Sequence, residues 1–222
     1  MNARRTPARM LQQPGLLQIR IFTLVLGLSI IVGHAQPVQH ERWAIKTSYR
    51  KQGGETKQIK LSTLLKLGTP ELKSGEREKD YAEKVFTQKF KGFAEGDFVE
   101  TSGWLHFILY SDDDDDYHVQ ISGKSNNGNN CVIVEIPKPS NAGDASSRAH
   151  WTRARAFIDS LNGGKSAPKA GKPLKHPIHV VVRGQLFYDL SHKDPGSRGR
   201  GGMKAKTSWE IHPVWEIRAK LH

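Results

Sequence analysis

The chain has few of the residues that mark disulfide-rich and metal-binding proteins. Cys131 is the only cysteine among its 222 residues, so an intramolecular disulfide is excluded. No HExxH or CxxC spacing occurs, which removes the local signatures of the common zinc sites. Hydrophobic residues make up 36% of the chain, enough for one small core. We therefore expect Cys131 to be a buried or half-buried strand residue and not a reactive thiol.

Acidic residues are absent from the first 35 positions. Four basic residues lie there, followed by an uncharged apolar run at 21–32: Arg4, Arg5, Arg9 and Arg20. Small residues at 33 and 35 complete the pattern of a secretory signal peptide, with cleavage before Gln36. The run is shorter than the roughly 20 residues of a membrane span, although an uncleaved anchor remains the alternative. We expect an exported protein, periplasmic or extracellular, that meets the membrane only transiently through this signal peptide.

The remaining chain suits a single domain. Removing residues 1–35 lowers the net charge from +12 to +8 and leaves 187 residues. We predict a signal peptide at 1–35, a partly irregular N-terminal extension at 36–84, and a β-barrel domain at 85–222. Within the extension, residues 41–48 are interpreted as extended and Leu61, Leu64 and Leu65 as part of a short helix. Residues 84–90 are interpreted as a strand leading into the barrel.

The strongest strand pattern lies at 98–137. Residues 98–110 alternate with period two, and Gly103 predicts a bend or bulge within them. Five consecutive aspartates at 112–116 predict a solvated hairpin loop, because neighbouring like charges repel in a strand ladder. Residues 117–121 and 131–136 are predicted as the second and third strands.

The second half of the chain contains a predicted helix and two further strands. Asp144, Ser146 and Ser147 offer N-caps for a helix that runs to residue 161 and closes at glycines 163 and 164. Residues 178–190, with a central Gly184, and 209–217 are predicted strands. Pro213 requires the last strand to be an edge strand or to contain a bulge.

The predicted order is three strands, one helix and two strands. This order, with glycines in the first and fourth strands, resembles the OB-fold, a five-stranded Greek-key barrel. The predicted fold class is therefore mainly β: a small five-stranded OB-like barrel with one helix between strands three and four, plus the N-terminal extension. The helix is expected to plug one end of the barrel.

Five short sequence motifs carry a second resemblance. They are similar to motifs in a widespread group of uncharacterised exported bacterial proteins: RWAIKT, DYHVQI, VIVEIP, VRGQLFYDLSH and WEIHPV. The resemblance spans nearly the whole chain after the signal peptide and implies export and an OB-like barrel, but no activity. The loop after the FYDLSH motif is usually less basic in that group, so the basic character of this loop is particular to the present chain.

The strand periodicity also separates inward from outward residues. Tyr117, Val119, Ile121, Val132, Val134 and Ile136 are predicted to face inward, and His118, Gln120 and Glu135 outward. Outward residues able to bind a metal or exchange protons come from four separate strands: His118, Glu135, Asp189, His192, Glu210 and His212. Because no local spacing links them, structural use, metal binding or catalysis, and ligand contact all stay open. No cofactor and no metal is predicted.

A basic loop lies at 191–207. It carries five basic residues against Asp194, a balance of +4: Lys193, Arg198, Arg200, Lys204 and Lys206. Such residues bind phosphates, and OB-folds use this loop in nucleic-acid binding. The five aspartates lie on the same rim, however, and strands two and three present no outward aromatic pair for base stacking. The unbroken aspartate run also lacks the alternating geometry of calcium loops.

We therefore expect a non-catalytic binding or interaction module for another component of the cell envelope. Binding of a polyanion or nucleic acid through the basic loop is the first alternative. A metal-dependent hydrolase that uses the histidines and carboxylates is the second.

Overall fold

A computed structural model describes residues 42–49, 55–192 and 194–221. The predicted signal peptide, its expected cleavage site and Lys193 lie outside these residues. The described residues belong to one compact unit that spans 38–222. No helix in this part of the chain combines the length and the apolar character needed to cross a bilayer.

Five strands form a closed mixed barrel, which confirms the predicted fold class. The barrel strands are β2 (Phe98–Tyr110), β3 (Tyr117–Ser122), β4 (Cys131–Ile136), β5 (Lys172–Tyr188) and β6 (Ala205–Ala219). They pair in the order β2-β3-β4-β6-β5, and β5 pairs with β2 to close the barrel. The β4–β6 pair is parallel and the others are antiparallel. A two-residue strand, β1 (Lys57–Gln58), adds to the edge of β2 in parallel.

The inward side chains fill one core. All six residues predicted to face inward on β3 and β4 are buried in it. Cys131 is also buried, but it lies with Ile133 and Ala205 in a small cluster outside this core. Burial raises the pKa of the Cys131 thiol to about 11, which keeps it protonated and unreactive at neutral pH.

One long helix, α3 (Ala145–Leu161), lies between β4 and β5 as predicted. Asp144 caps it by accepting from the Ser147 N–H at 2.9 Å. Trp151 and Ile158 bury one face of the helix in the barrel core. The helix therefore contributes to the same core as the barrel strands.

Close backbone approaches explain the glycines and the proline in the long strands. A Cβ on Gly184 would lie 2.5 Å from the Pro213 carbonyl oxygen, so only glycine fits there. The ladder between β5 and β6 shifts register on both sides of Gly184. Since β6 lies between β4 and β5, Pro213 occupies a bulge and not an edge strand. In β2 the register shift falls between Leu105 and Phe107, slightly after the bend predicted at Gly103.

Two predictions for the N-terminal extension are wrong. Residues 43–46 form a helical turn, α1 (Trp43–Lys46), where an extended segment was expected; the Thr47 hydroxyl stabilises it by donating to the Trp43 carbonyl at 2.9 Å. Residues 84–90 form no strand in the described structure. The Phe86 N–H donates to the Glu95 carboxylate at 2.7 Å, so a side chain takes the place of a neighbouring strand.

The described part of the extension packs on the barrel. A second short helix, α2 (Leu61–Leu64), occurs where it was predicted. Leu61, Leu64, Tyr81 and Phe86 join the barrel core. The extension is further attached by the buried Arg42, whose guanidinium contacts both oxygens of Glu95 at 2.7 Å.

Candidate functional site

The site forms on the outer face of three neighbouring strands. His118 of β3 pairs directly with Glu135 of β4. The parallel register of β4 and β6 pairs Ile133 with Glu210, which brings Glu210 and His212 beside the same face. Since alternate residues share a face, these side chains form rows across the barrel wall. Strand register thus brings together residues that are far apart in the sequence.

His212 is the centre of a buried group of carboxylates. Its Nε2 lies 3.1 Å from Asp116, and its Nδ1 lies 2.9 Å from Glu135 and 3.6 Å from Glu210. The side chain of His212 is fully buried. Burial alone would lower the pKa of His212, but the surrounding carboxylates hold that pKa well above its usual value.

Arg198 of the β5–β6 loop contacts carboxylates of the same group and also Asp189. Its guanidinium is ion-paired with Glu210, lies 3.1 Å from Asp189 and is 3.8 Å from Glu135. Only 10% of its side chain is exposed, so Arg198 is not free for phosphate binding. Burial alone would raise the pKa of Asp189, but the Arg198 charge holds it below its usual value.

Two histidines each contact a buried carboxylate through Nδ1. His118 Nδ1 lies 3.1 Å from Glu135, and His192 Nδ1 lies 2.8 Å from Asp189. Burial alone would raise the pKa of Glu135, but the rings of His118 and His212 hold it well below its usual value. Both carboxylates are therefore charged at neutral pH and able to fix the orientation of a ring.

These two pairs line one cavity of about 530 Å³. Its wall includes Lys46 of α1, Asp113 and Asp114 of the β2–β3 loop, and Arg198 of the β5–β6 loop. Burial alone would lower the pKa of Lys46, but Glu135 and Glu210 raise it, so this amine stays charged. A cavity of this size, lined by charged groups of both signs, suits a small polar molecule.

All six candidate residues from the sequence belong to this network. The prediction that they face outward from the barrel is consistent with their position, but they are not freely solvated. Glu210 and His212 are fully buried, and Gln120 on the same face is fully buried as well. Arg198 and Lys46, which come from outside the three strands, lie beside this part of the barrel wall. Buried charges of both signs in one place are typical of functional sites.

Sequence reasoning missed Asp116 and Lys46 as members of the site. The prediction of a fully solvated aspartate loop is wrong at Asp116, which is completely buried. Three neighbours pair with lysines from other segments: Asp112 with Lys169, Asp114 with Lys46, and Asp115 with Lys138. One signal was available for Asp116, because it stands two positions before His118 and so shares its face of the strand.

The basic loop is only partly available to a ligand. Arg200 and Lys206 are exposed. Lys204 is half-buried, and its ammonium donates to the Gly199 carbonyl at 3.1 Å. With Arg198 engaged by carboxylates, two of the four described basic residues point to solvent. This arrangement does not favour polyanion binding over the other functions.

No protein-family model, curated protein or solved structure matches this chain. Its function is therefore inferred from the geometry of the site.

Proposed function

We propose that this protein is a hydrolase that uses histidine general acid–base catalysis on a small polar substrate in the 530 Å³ cavity. The observation that supports this proposal is the pair of histidine–carboxylate contacts, His118–Glu135 and His192–Asp189, on one cavity wall. A carboxylate at Nδ1 selects the ring tautomer and leaves Nε2 for proton transfer.

The two histidines would have complementary roles. In this proposal His192, the more exposed ring, takes a proton from water as the water oxygen bonds to the substrate. His118 gives a proton to the leaving group as its bond to the substrate breaks. Lys46 stays charged and stabilises negative charge that develops on the substrate. Each pair of electrons and each proton is then accounted for without a further reactant.

The proposal is tested with p-nitrophenyl acetate and bis(p-nitrophenyl) phosphate, which represent carboxylic and phosphoric esters. We expect turnover of one of them, reduced about 10²–10⁴-fold in His192→Asn and in His118→Asn. His176→Asn is the matched control, because His176 is exposed on β5 and does not line the cavity. Absence of turnover of both esters, or full activity of both variants, would refute hydrolysis at this site.

A non-catalytic binding module is the second candidate function. The cavity lies between the β2–β3 and β5–β6 loops, over β3 and β4, where OB-folds bind their ligands. We infer from the signal-peptide pattern that such a ligand would belong to the cell envelope. Capture of one envelope component by the protein, unchanged in His192→Asn and lost in Lys46→Glu, would favour binding without catalysis. Equal capture by the Lys46→Glu variant would count against it.

A further inference from the structure

We propose that Asp116, Glu135 and His212 bind one divalent transition-metal ion of the zinc or manganese kind. One ligand atom from each residue lies within 4.8 Å of the other two. The site shares Glu135 with the His118–Glu135 pair of the proposed hydrolase, but it includes neither His192 nor Asp189, and its test does not use activity.

The orientation of the His212 ring supports an ion at this place. Carboxylate oxygens lie 2.9 Å and 3.1 Å from its two nitrogens, yet neither nitrogen makes a hydrogen bond within the protein. Ligand atoms that bind one metal at about 2.0–2.2 Å are close neighbours without pointing at each other. An ion would displace the proton from one ring nitrogen, so His212 would supply one ligand and the two carboxylates the others.

Asp116 gives a second, independent observation. Its side chain is fully buried, and neither of its oxygens accepts a hydrogen bond within the protein. Its one ion-pair neighbour among the described residues is His212. Burying a carboxylate costs several kcal/mol as a rule unless hydrogen bonds also satisfy its oxygens. A divalent cation bound to Asp116 would offset that cost.

The charges around Asp116 and Glu135 are arranged so that a cation could bind between these two carboxylates. Arg198 is ion-paired with Asp189 and Glu210, and its nearest approach to Glu135 is 3.8 Å. Glu135 directs one oxygen to His118 and the other to His212. One imidazole nitrogen and two carboxylate oxygens suit zinc or manganese better than calcium or magnesium, which prefer oxygen ligands alone.

The test is metal content and affinity of the protein purified without a histidine tag. We expect about one ion per chain after dialysis, measured by mass spectrometry of the metals. Metal-stripped protein should bind Zn²⁺ or Mn²⁺ with a rise in thermal midpoint. Asp116→Asn should lower the affinity by more than about 100-fold. Asp189→Asn, which alters a buried carboxylate outside the three ligands, should keep one ion per chain.

A second measurement covers the case in which Asp116→Asn does not fold. Cobalt(II) added to the metal-stripped wild-type protein should give visible absorption bands and an X-ray absorption spectrum with nitrogen and oxygen ligands only. A content near zero, a sulfur ligand in that spectrum, or unchanged affinity in folded Asp116→Asn would overturn the proposal. Because these readouts do not use activity, failure of the hydrolase proposal leaves them unaffected.

Discussion

Arg42 joins three distant segments of the chain through one buried guanidinium. It donates to both oxygens of Glu95 at 2.7 Å, and to the backbone carbonyls of Tyr81 and Tyr188 at 3.0 and 2.7 Å. Its side chain and that of Glu95 are 1% and 0% exposed. A planar guanidinium with five donors fits this set of acceptors, and a lysine would not.

We therefore expect Arg42→Met to destabilise the protein by about 3–5 kcal/mol, because Glu95 would keep a buried charge without its partner. The measurement is urea unfolding followed by circular dichroism at pH 7. Arg218→Met is the control, since the Arg218–Glu216 pair is exposed and should contribute less than about 1 kcal/mol. Equal midpoints for wild type and Arg42→Met would contradict this role.

Asp189 makes stability depend on pH in the acidic range. Burial raises its pKa, but Arg198, Ser191 and Lys46 together hold it below the ordinary value of 3.8. A carboxyl with a depressed pKa in the folded state contributes stability above 3.8, and this contribution is lost as the pH falls through the folded-state pKa.

The stability difference between wild type and Asp189→Asn should be constant near neutral pH and shrink below about pH 4. Unfolding free energies at a series of pH values from neutral to about pH 3 measure it. A difference that stays constant over this series would mean that Asp189 has no depressed pKa.

At the scale of single elements, the pairing of β5 with β6 depends on a glycine. The carbonyl oxygen of Pro213 and the side chain of Ile211 occupy the space that a Cβ on Gly184 would need, at 2.5 and 2.6 Å. Both contacts involve β6 near its bulge, and the Pro213 oxygen belongs to the backbone, which has little freedom to move there.

Gly184→Ala should therefore cost about 1–3 kcal/mol through overpacking and a shift of the ladder. Gly123→Ala is a matched control, because nothing lies within 4 Å of a Cβ at that position. Chemical unfolding of both variants measures the contrast. Equal stability of the two variants would show that β6 can shift to accommodate the added Cβ with no loss of unfolding free energy.

Local patterns were reliable for the long elements and failed for the short ones. β4 agrees with its prediction at both ends, since a run of β-branched residues ends at a proline. Residues 43–46 were wrongly predicted because Trp43 and Ile45 alternate as in a strand. Long-range hydrogen bonds from Arg42 and side-chain bonds from Thr47 favour a helical turn there.

At the scale of the whole molecule, the positive net charge conceals a site rich in carboxylates. The chain carries +12 overall, yet four carboxylates contact Arg198 or His212 in the site: Asp116, Glu135, Asp189 and Glu210. Composition therefore indicates polyanions as partners, whereas the functions proposed for the site involve a cation or a small polar molecule.

The signal-peptide interpretation leads to a further prediction. Protein recovered after export should begin at Gln36, because the small residues at 33 and 35 suit a signal peptidase. Intact-mass measurement and N-terminal sequencing test this. A chain that keeps Met1 and partitions with membranes would favour the uncleaved anchor.

The six site residues could be named from the sequence, but their proximity in the folded structure could not be predicted. Alternation placed His118, Glu135, Glu210 and His212 on outward faces. Their convergence requires β4 and β6 to pair in parallel with one particular register, which is a contact between segments some 75 residues apart. The covering segments that bury Asp116 and Arg198 follow from equally distant contacts.

By itself, the sequence determined the strands, the capped helix and the order that closes a barrel, because periodicity, caps and turn residues act over a few neighbouring positions. Only the tertiary structure decided that outward residues become a buried network beside a cavity. Whether an outward face meets water or another segment depends on long-range packing, and local patterns do not contain that information.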